Sequence, residues 1–503
     1  MDGADGKESR EGNYLDKVEE EMDRGKHYDF KAEYLEAREK SCRVNQVVVR
    51  GNDRTKPNTI LQEFQGVRDD QDKHFGSNSR EGSNQSTDRQ RQRQVSKAGT
   101  LEQIKDELLE VSACLAELDI FREVDILVDA GPEENSELAD LYVTVAEKNI
   151  ASFSTGTYIQ GGEGSVEATI SLRNLLGHAE VFQGNASFGS QKSNAYALGV
   201  RRPRWGGIDT EVNAQAFQSS RSHEKLSSYV EWMRGVSLGM KIGGGNHGFN
   251  YEAALREIQI ASPRVSEEVR KQGGHSFKSG VGYTFMYDQR DHPIRPTNGA
   301  AAQGKLDLTG LGIGPGVEKY LRQQVKWQVC RPLVEPFVLD VRGQWGVLLP
   351  LGQGWDKPTC ISERFFLGGP GSLRGFAVNG AGPMGDRKFG TREVVPLGQQ
   401  ATDALGGDLM CSLITSLTFD LPNKLMKTVG IHGHVFLNGG NVVPLLNCGP
   451  RTFLEGFRWS AGFGLVLPTR VGRLEVNYCH VLKQGAKDEA KRGIQFGFDC
   501  NYI

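Results

Sequence analysis

Nowhere in these 503 residues is there an unbroken apolar run long enough for a membrane helix, which needs about 20 residues. Charge is nearly balanced, at -3, so the chain carries no electrostatic footprint for nucleic acid. The eight cysteines stand singly, without Cys-x-x-Cys or zinc-ligand spacing, and read as free thiols or small hydrophobes. The amino end, Met1 to Glu8, is acidic and polar, and matches neither a secretory signal nor an Arg-rich transit sequence. Catalytic signatures are scarce as well: there is no His-x-x-x-His. His432 and His434 share one strand face, a spacing that could hold a metal but more often lines a wall. Binding and conduit functions therefore outrank enzymology, and neither a cofactor nor a metal is expected.

Glycine is abundant instead: 63 residues, only 10 of them before Ser152. The remainder form no collagen-like or linker-like repeat, and inside a sheet they let strands bend and backbones approach. Over the same region the residues alternate. Val166, Ala168, Ile170 and Leu172 oppose Glu167, Thr169, Ser171 and Arg173; Leu474, Val476 and Tyr478 oppose Arg473, Glu475 and Asn477. The final segment repeats the pattern, with Ile494, Phe496, Phe498, Cys500 and Tyr502 on one parity. Such strands fit a membrane β-barrel, apolar outside and polar inside, or a large soluble antiparallel sandwich. Segment length favours the barrel, because many reach about 9–12 residues, enough to cross the hydrocarbon when tilted. Counting turn to turn from Ser152 gives about sixteen strands, an even number suited to closure.

The chain divides near residue 150. Residues 1–39 are charged and polar, and read as an exposed helix or a disordered tail. Residues 40–150 contain a strand at Val47–Val49, closed by the turn Arg50-Gly51-Asn52, a short helix from Thr59 to Phe64, and a longer helix. The long helix carries the stripe Leu101, Ile104, Leu108, Leu109, Val111, Leu115 and Leu118. Phe121–Val128 and Leu141–Val145 supply two further strands around the turn Gly131-Pro132. The order β-α-α-β-β predicts a small α/β domain. Its Ser-, Gln-, Arg- and Gly-rich interruption, residues 71–99, is expected to be a disordered surface insertion, whose Arg89, Arg91 and Arg93 are either solvated or attract an acidic partner.

Between the strand ending near Leu349 and the next one near Asp408 lies a loop, about residues 350–407, far longer than a turn. It holds Gly368, Gly369, Gly371, Arg374, Gly375 and Phe376. It is not a phosphate loop, since it lacks Gly-Lys-Ser/Thr and a following helix. Loops of this length are usually functional. Either it folds into the lumen, with Arg374 bridging to acceptors or rings in Phe436 to Gly440, or it stays outside with the arginine exposed.

The run Leu367-Gly-Gly-Pro-Gly-Ser-Leu-Arg-Gly-Phe376 resembles the signature loop of the outer-membrane β-barrel insertases and related two-partner transporters. With Arg173–Glu180, Gly273–Ser279 and Leu474–Cys479, the chain is similar to the barrel core subunits of the mitochondrial sorting and assembly machinery, from about Val44 to Ile503. The resemblance implies a mainly β fold: a 16-stranded antiparallel transmembrane β-barrel over residues 151–503, preceded by one small α/β POTRA domain in the intermembrane space. One module and no signal point to the mitochondrial outer membrane. It also implies a loop-to-wall contact of Arg374 with Phe436 and Asn438. Many bacterial members carry aspartate where Asn438 aligns, so a neutral hydrogen bond or the Phe436 ring is expected to replace a charged pair. Implied partners are unfolded β-barrel precursors, accessory subunits of a sorting and assembly complex, membrane lipid, and cristae-organising inner-membrane complexes.

The expected mechanism follows from strand edges. A closed barrel has none, so an insertase must open one. The seam without a local hairpin joins the first strand, Ser152–Ile159 with Thr157 near its end, to the last, Gly493–Tyr502 with Phe496, Gly497 and Phe498. Gly493 and Gly497 are expected to leave gaps across it. A client strand would pair with the opened edge and leave laterally into lipid. The segment Lys491 to Phe498 also resembles the family's targeting signal, polar-x-Gly-x-x-apolar-x-apolar. The alternative is a polypeptide-transport or metabolite channel without insertase activity.

Overall fold

The computed structural model describes residues 41–67, 98–130, 138–160, 163–312, 316–352, 358–388, 401–446, 449–469 and 472–499. The chain forms two compact units, Met1–Lys148 and Asn149–Ile503. The polar tail 1–39, the Gly131-Pro132 turn and all but the last residues of the 71–99 insertion lie outside the described residues.

In the first unit, β1 (Ser41–Arg50) leads to a short helix α1 (Pro57–Leu61) and a 3-10 turn. Then come β2 (Ala98–Thr100), α2 (Leu101–Glu117), β3 (Phe121–Ala130) and β4 (Leu138–Glu147). The three-residue β2, absent from the expected β-α-α-β-β order, ends the insertion: Ser41, Cys42 and Arg43 of β1 pair with it. The sheet runs β2-β1-β4-β3, with β1 and β4 parallel. Thr100 starts α2 by a capping box: its hydroxyl accepts from Gln103 N–H (3.3 Å), and the Gln103 side-chain Oε1 accepts from Thr100 N–H (3.1 Å). The helix buries Ile104, Leu108, Val111 and Leu115, each worth about 1.5–3 kcal/mol on leaving water. Leu109 was expected in that stripe but is 61% exposed, because one residue past Leu108 turns it about 100° away.

The second unit is one sheet of sixteen antiparallel strands in consecutive order, matching the turn-to-turn count. They are β5 (Ala151–Gln160), β6 (Glu163–Arg173), β7 (Val181–Gly189), β8 (Asn194–Arg202), β9 (Thr210–Ser222), β10 (Tyr229–Ile242), β11 (His247–Ile260) and β12 (Gly274–Asp288). β13 (Gly299–Thr309), β14 (Tyr320–Pro332) and β15 (Phe337–Pro350) follow, then the long loop, which contains a small hairpin of β16 (Met384–Asp386) and β17 (Thr402–Ala404). β18 (Leu409–Asp420), β19 (His432–Val443), β20 (Arg458–Pro468), β21 (Arg473–Lys483) and β22 (Gly493–Asp499) complete the sheet.

Alternation along each strand sorts the side chains by face. Outward parities expose Ile170, Leu198, Val236, Leu255, Phe463 and Phe496, while inward ones bury Ser237, Arg256, Gln328, Asn438, Asn477 and Gln495. An apolar exterior around a polar interior is the inverse of a soluble sandwich. The sheet curls around that interior, because the single loop between β15 and β18 is ion-paired to β11 and β12 through Glu363 and to β21 through Arg374. Glycines fit where a bulky ring crosses the ladder. Gly433 faces Phe419 and Gly439 faces Trp459, and a Cβ there would sit 2.7 and 2.6 Å from the ring.

Glu147, the last residue of β4, ties the end of the first sheet to the turn after β1. Its carboxylate accepts from the Thr55 and Arg54 N–H groups (2.8 and 3.2 Å), the Thr55 hydroxyl (2.5 Å) and Arg54 Nε (2.7 Å). Partial burial pushes the carboxyl up, but the hydrogen bonds from Thr55 and Arg54 outweigh it and hold the group below its ordinary 4.5. A carboxyl depressed by folding contributes stability that is complete above about pH 4.5 and lost as pH falls through the lower folded value. Glu147→Gln should therefore destabilise the first unit at pH 6 and flatten this part of its acid dependence. Limited proteolysis of the full-length protein from pH 6 to 3 checks this; an unchanged pH profile would refute it.

Candidate functional site

The long loop is the feature that a regular sheet does not require. Its first anchor is Glu363, whose carboxylate meets Arg256 of β11 and Lys278 of β12, the latter at 3.1 Å. Arg256 is held in turn by Glu231 of β10 (3.0 Å) and Glu318 (2.7 Å), and Lys278 by Glu252 (3.5 Å). Sequence reading missed this cluster. The only signal was a set of charges on inward parity, and their convergence depends on how the loop folds.

The second anchor is the signature segment. Phe365, Leu367, Leu373 and Phe376 are buried in one apolar cluster with Tyr320, Leu348, Met410, Val442 and Val481 from the wall. Among these apolar contacts lies Arg374, which is 2% exposed. Its Nε and Nη2 grip the Glu475 carboxylate of β21 in a fork of 3.1 and 2.9 Å, and its Cζ lies 4.8 Å from the centre of the Phe436 ring. Arg473 Nε reaches the same carboxylate at 2.7 Å, while Arg342 pairs with Asp340 nearby on β15 at 2.8 Å.

A neutral hydrogen bond or the ring was expected to replace a charged partner for Arg374. The structure corrects this: the ring is present, but a full charge pair exists as well, supplied from β21. Asn438 does not touch the guanidinium. Its Nδ2 donates to the Arg374 carbonyl at 3.2 Å, and the Ser460 hydroxyl donates to the same oxygen. Glu475 lies on the inward parity, yet alternation alone does not say that β21 is the strand Arg374 meets.

The signature glycines divide by role. Gly368, Gly369 and Gly375 have φ of +122°, +103° and +85°, which side chains resist, and a Cβ on Gly375 would press on Ser460 at 3.1 Å. Gly371 has no such requirement, since a Cβ there meets nothing within 4 Å.

From this segment the backbone runs along the β21–β22 connection. Ala377 N–H donates to the Glu489 carbonyl (2.9 Å), Lys491 N–H to Gly375 (2.8 Å) and Glu489 N–H to Gly380 (2.7 Å). Gly382 N–H donates to Asp488 at 3.0 Å. Burial pushes the Asp488 carboxyl up, but hydrogen bonds from Arg458, Gly382 and Gly485 prevail and hold it below its ordinary value. Gln495 of β22 accepts from Gly375 N–H (3.0 Å) and donates to the Phe376 carbonyl (2.9 Å). Gly497 faces inward under Pro370, where an added Cβ would lie 2.5 Å from the proline Cβ. Its lack of a side chain therefore admits the loop, in place of the expected gap across the seam.

The two ends of the sheet differ. β22 pairs with β21 from Gly493 to Asp499, and β5 pairs with β6, but no ladder joins β5 to β22 among the described residues. Thr157 and Gly497 are not ladder partners among the described residues. Phe153 to Thr157 are exposed at every position, on both faces of β5. On β22, Ile494 and Phe496 are 62% and 70% exposed on the outer face, Phe498 shares their parity, and Gln495 is buried. His432 and His434 line the wall, His434 against Asn477 at 2.6 Å, and no metal-binding cluster occurs among the described residues.

The Omp85 superfamily domain matches residues 174–499. A sorting and assembly machinery component 50 homologue of Bos taurus is 30% identical over 429 residues, 82% of this chain and 86% of its own. The Mus musculus homologue is 31% identical over 428 residues, again 82% and 86%. A crystal structure of Haemophilus ducreyi BamA lacking its first three POTRA domains shares the fold, with a TM-score of 0.67 at 19% identity over 90% of this chain and 84% of that one.

Glu475 faces two cations, so Glu475→Gln should cost more than Arg374→Ala, each on the scale of about 3–5 kcal/mol for a broken buried pair. Combining them should cost less than the sum of the two, measured by urea unfolding and protease access to the loop. Additive losses would refute the coupling. Gly497→Val should displace Pro370 and raise cleavage in the loop, whereas Gly371→Ala should be silent; equal behaviour of the two would refute the packing role.

Proposed function

The chain belongs to the Omp85 superfamily, among the homologues of sorting and assembly machinery component 50, and we propose that it folds and inserts β-barrel precursors into the mitochondrial outer membrane. The sixteen-stranded sheet would cross that membrane, with the first unit as a single POTRA domain in the intermembrane space that receives precursors. Accessory subunits of a sorting and assembly complex, and cristae-organising complexes of the inner membrane, are its partners in this reading. No bound cofactor or nucleotide is needed, because burial of the client's apolar face can drive the reaction.

The observation that carries the reading is the unequal pair of terminal strands. A sheet edge with unpaired N–H and C=O groups is costly in lipid, and is a template for another strand. β22 is braced by β21 and, from inside, by the Arg374 loop; among the described residues β5 has one ladder partner, and its residues Phe153 to Thr157 are exposed on both faces. A client strand adding to β5 would satisfy its backbone while its side chains alternate between lipid and lumen, then leave sideways. A passive metabolite pore is less well supported, because the loop occupies the lumen and contacts both halves of the wall.

Cysteines placed singly from Phe153 to Thr157 and from Ile494 to Phe498, with native cysteines replaced, test the seam. Several registers must be tried, since a disulfide needs Cβ atoms about 3.8 Å apart. A quantitative seam disulfide should stop client insertion, and reduction should restore it. Normal insertion through a sealed seam would eliminate the lateral route. Separately, Phe496→Arg should lower the carbonate-resistant fraction of the protein, because a basic residue facing mid-bilayer costs about 2–4 kcal/mol. Wild-type retention would place that face away from lipid.

A further inference from the structure

On the outer wall between β6 and β10 the apolar surface sinks. A depression of about 640 Å³ overlaps a second of about 560 Å³, the two sharing Ile170, Gly184, Leu198 and Ala216. The ladder explains its shape. Ile170, Gly184, Leu198, Ala216 and Val236 lie in one rank across five strands, and Leu172, Phe182, Val200, Ala214 and Leu238 in the next. Gly184 and Ala216 in the first rank and Ala214 in the second leave a valley between larger neighbours.

One rung further along β8 the outward parity reaches Arg202, opposite Val212 of β9. The adjacent inward cations are already used, since Glu211 binds Arg201 and Lys241, each at 3.1 Å. Arg202 Nε is shielded from water and has no hydrogen-bond partner. Arg204 follows in the β8–β9 loop with Trp205 and Ile208, which are exposed at 54% and 64%, the residue types that anchor at a membrane surface. Asp209, the nearby acid, accepts from Gly244 N–H at 2.5 Å.

We propose that this face holds one anionic glycerophospholipid, its acyl chain in the valley and its phosphate on Arg202 and Arg204. An empty apolar valley forfeits dispersion contacts that a fluid chain supplies, and the basic rim selects a negative headgroup over a zwitterionic one. The proposal rests on the membrane placement given above.

Native mass spectrometry of the full-length protein in detergent, with equal phosphatidylglycerol and phosphatidylcholine, tests it. The wild type should retain one phosphatidylglycerol with a preference of about tenfold. R202Q/R204Q should bring the preference to near unity, and R202K/R204K should keep it, which separates charge from folding. Ala214→Phe should fill the valley and remove the retained lipid with the arginines intact. No preference in the wild type, a preference that survives R202Q/R204Q, or full retention in Ala214→Phe would overturn the site. So would a photocrosslinker at Leu198 that couples to a protein in native membranes, which would assign the face to a partner's transmembrane segment. Carbonate extraction separates the two levels: a wild type that is extracted fails the membrane reading, and a retained one without preference fails only the lipid site.

Discussion

A charge pair shut away from water sets the interior of the larger unit. Arg374 and Glu475 lie 101 residues apart and are almost wholly buried, so removing either one leaves buried charge without that partner. Every nearby group conforms to that requirement. Phe436 covers the guanidinium, Asn438 and Ser460 take up the Arg374 carbonyl, and Arg473 shares the carboxylate. The positive-φ glycines let the backbone turn tightly enough to deliver the arginine. A polar lumen would otherwise fill with water; here a loop enters it, with Glu363 and Arg374 ion-paired to the wall.

Much of this was legible in the sequence, for a simple reason. Alternation of period two is a local property, so the parity of Phe496 against Gln495, or of Val476 against Glu475, is readable without any neighbour. The strand count follows from turns, which are also local. What one strand meets is not. Arg374 could be singled out, as could the ring at Phe436, but its carboxylate partner depends on β21 lying two strands beyond β19 and on the loop crossing the lumen to reach it. The Arg256 cluster was invisible for the same reason. In the first unit the helix stripe was clear except at Leu109, while the three-residue β2 is too short to carry any periodicity.

Membership in the Omp85 superfamily adds weight to the parts of the chain that no general rule of sheet folding demands. An up-and-down sheet of sixteen strands needs only turns between them. The loop between β15 and β18 is many times longer than a turn, carries a hairpin of its own, and spends a buried ion pair at each of two anchors. Its contacts reach β11 and β12 on one side and β19 to β22 on the other, so distant strands share one internal strut.

Mechanically, the strut makes the sheet anisotropic. Stress pulling the last hairpin inward or outward is carried through Gln495, the Phe376–Lys491 backbone bonds and Gly497 under Pro370 into the opposite wall. Among the described residues, the first strand has the β6 ladder alone to pass stress into the sheet. The compliance of the structure is therefore concentrated at one terminus, where small loads produce large displacement, while the other behaves as a fixed post.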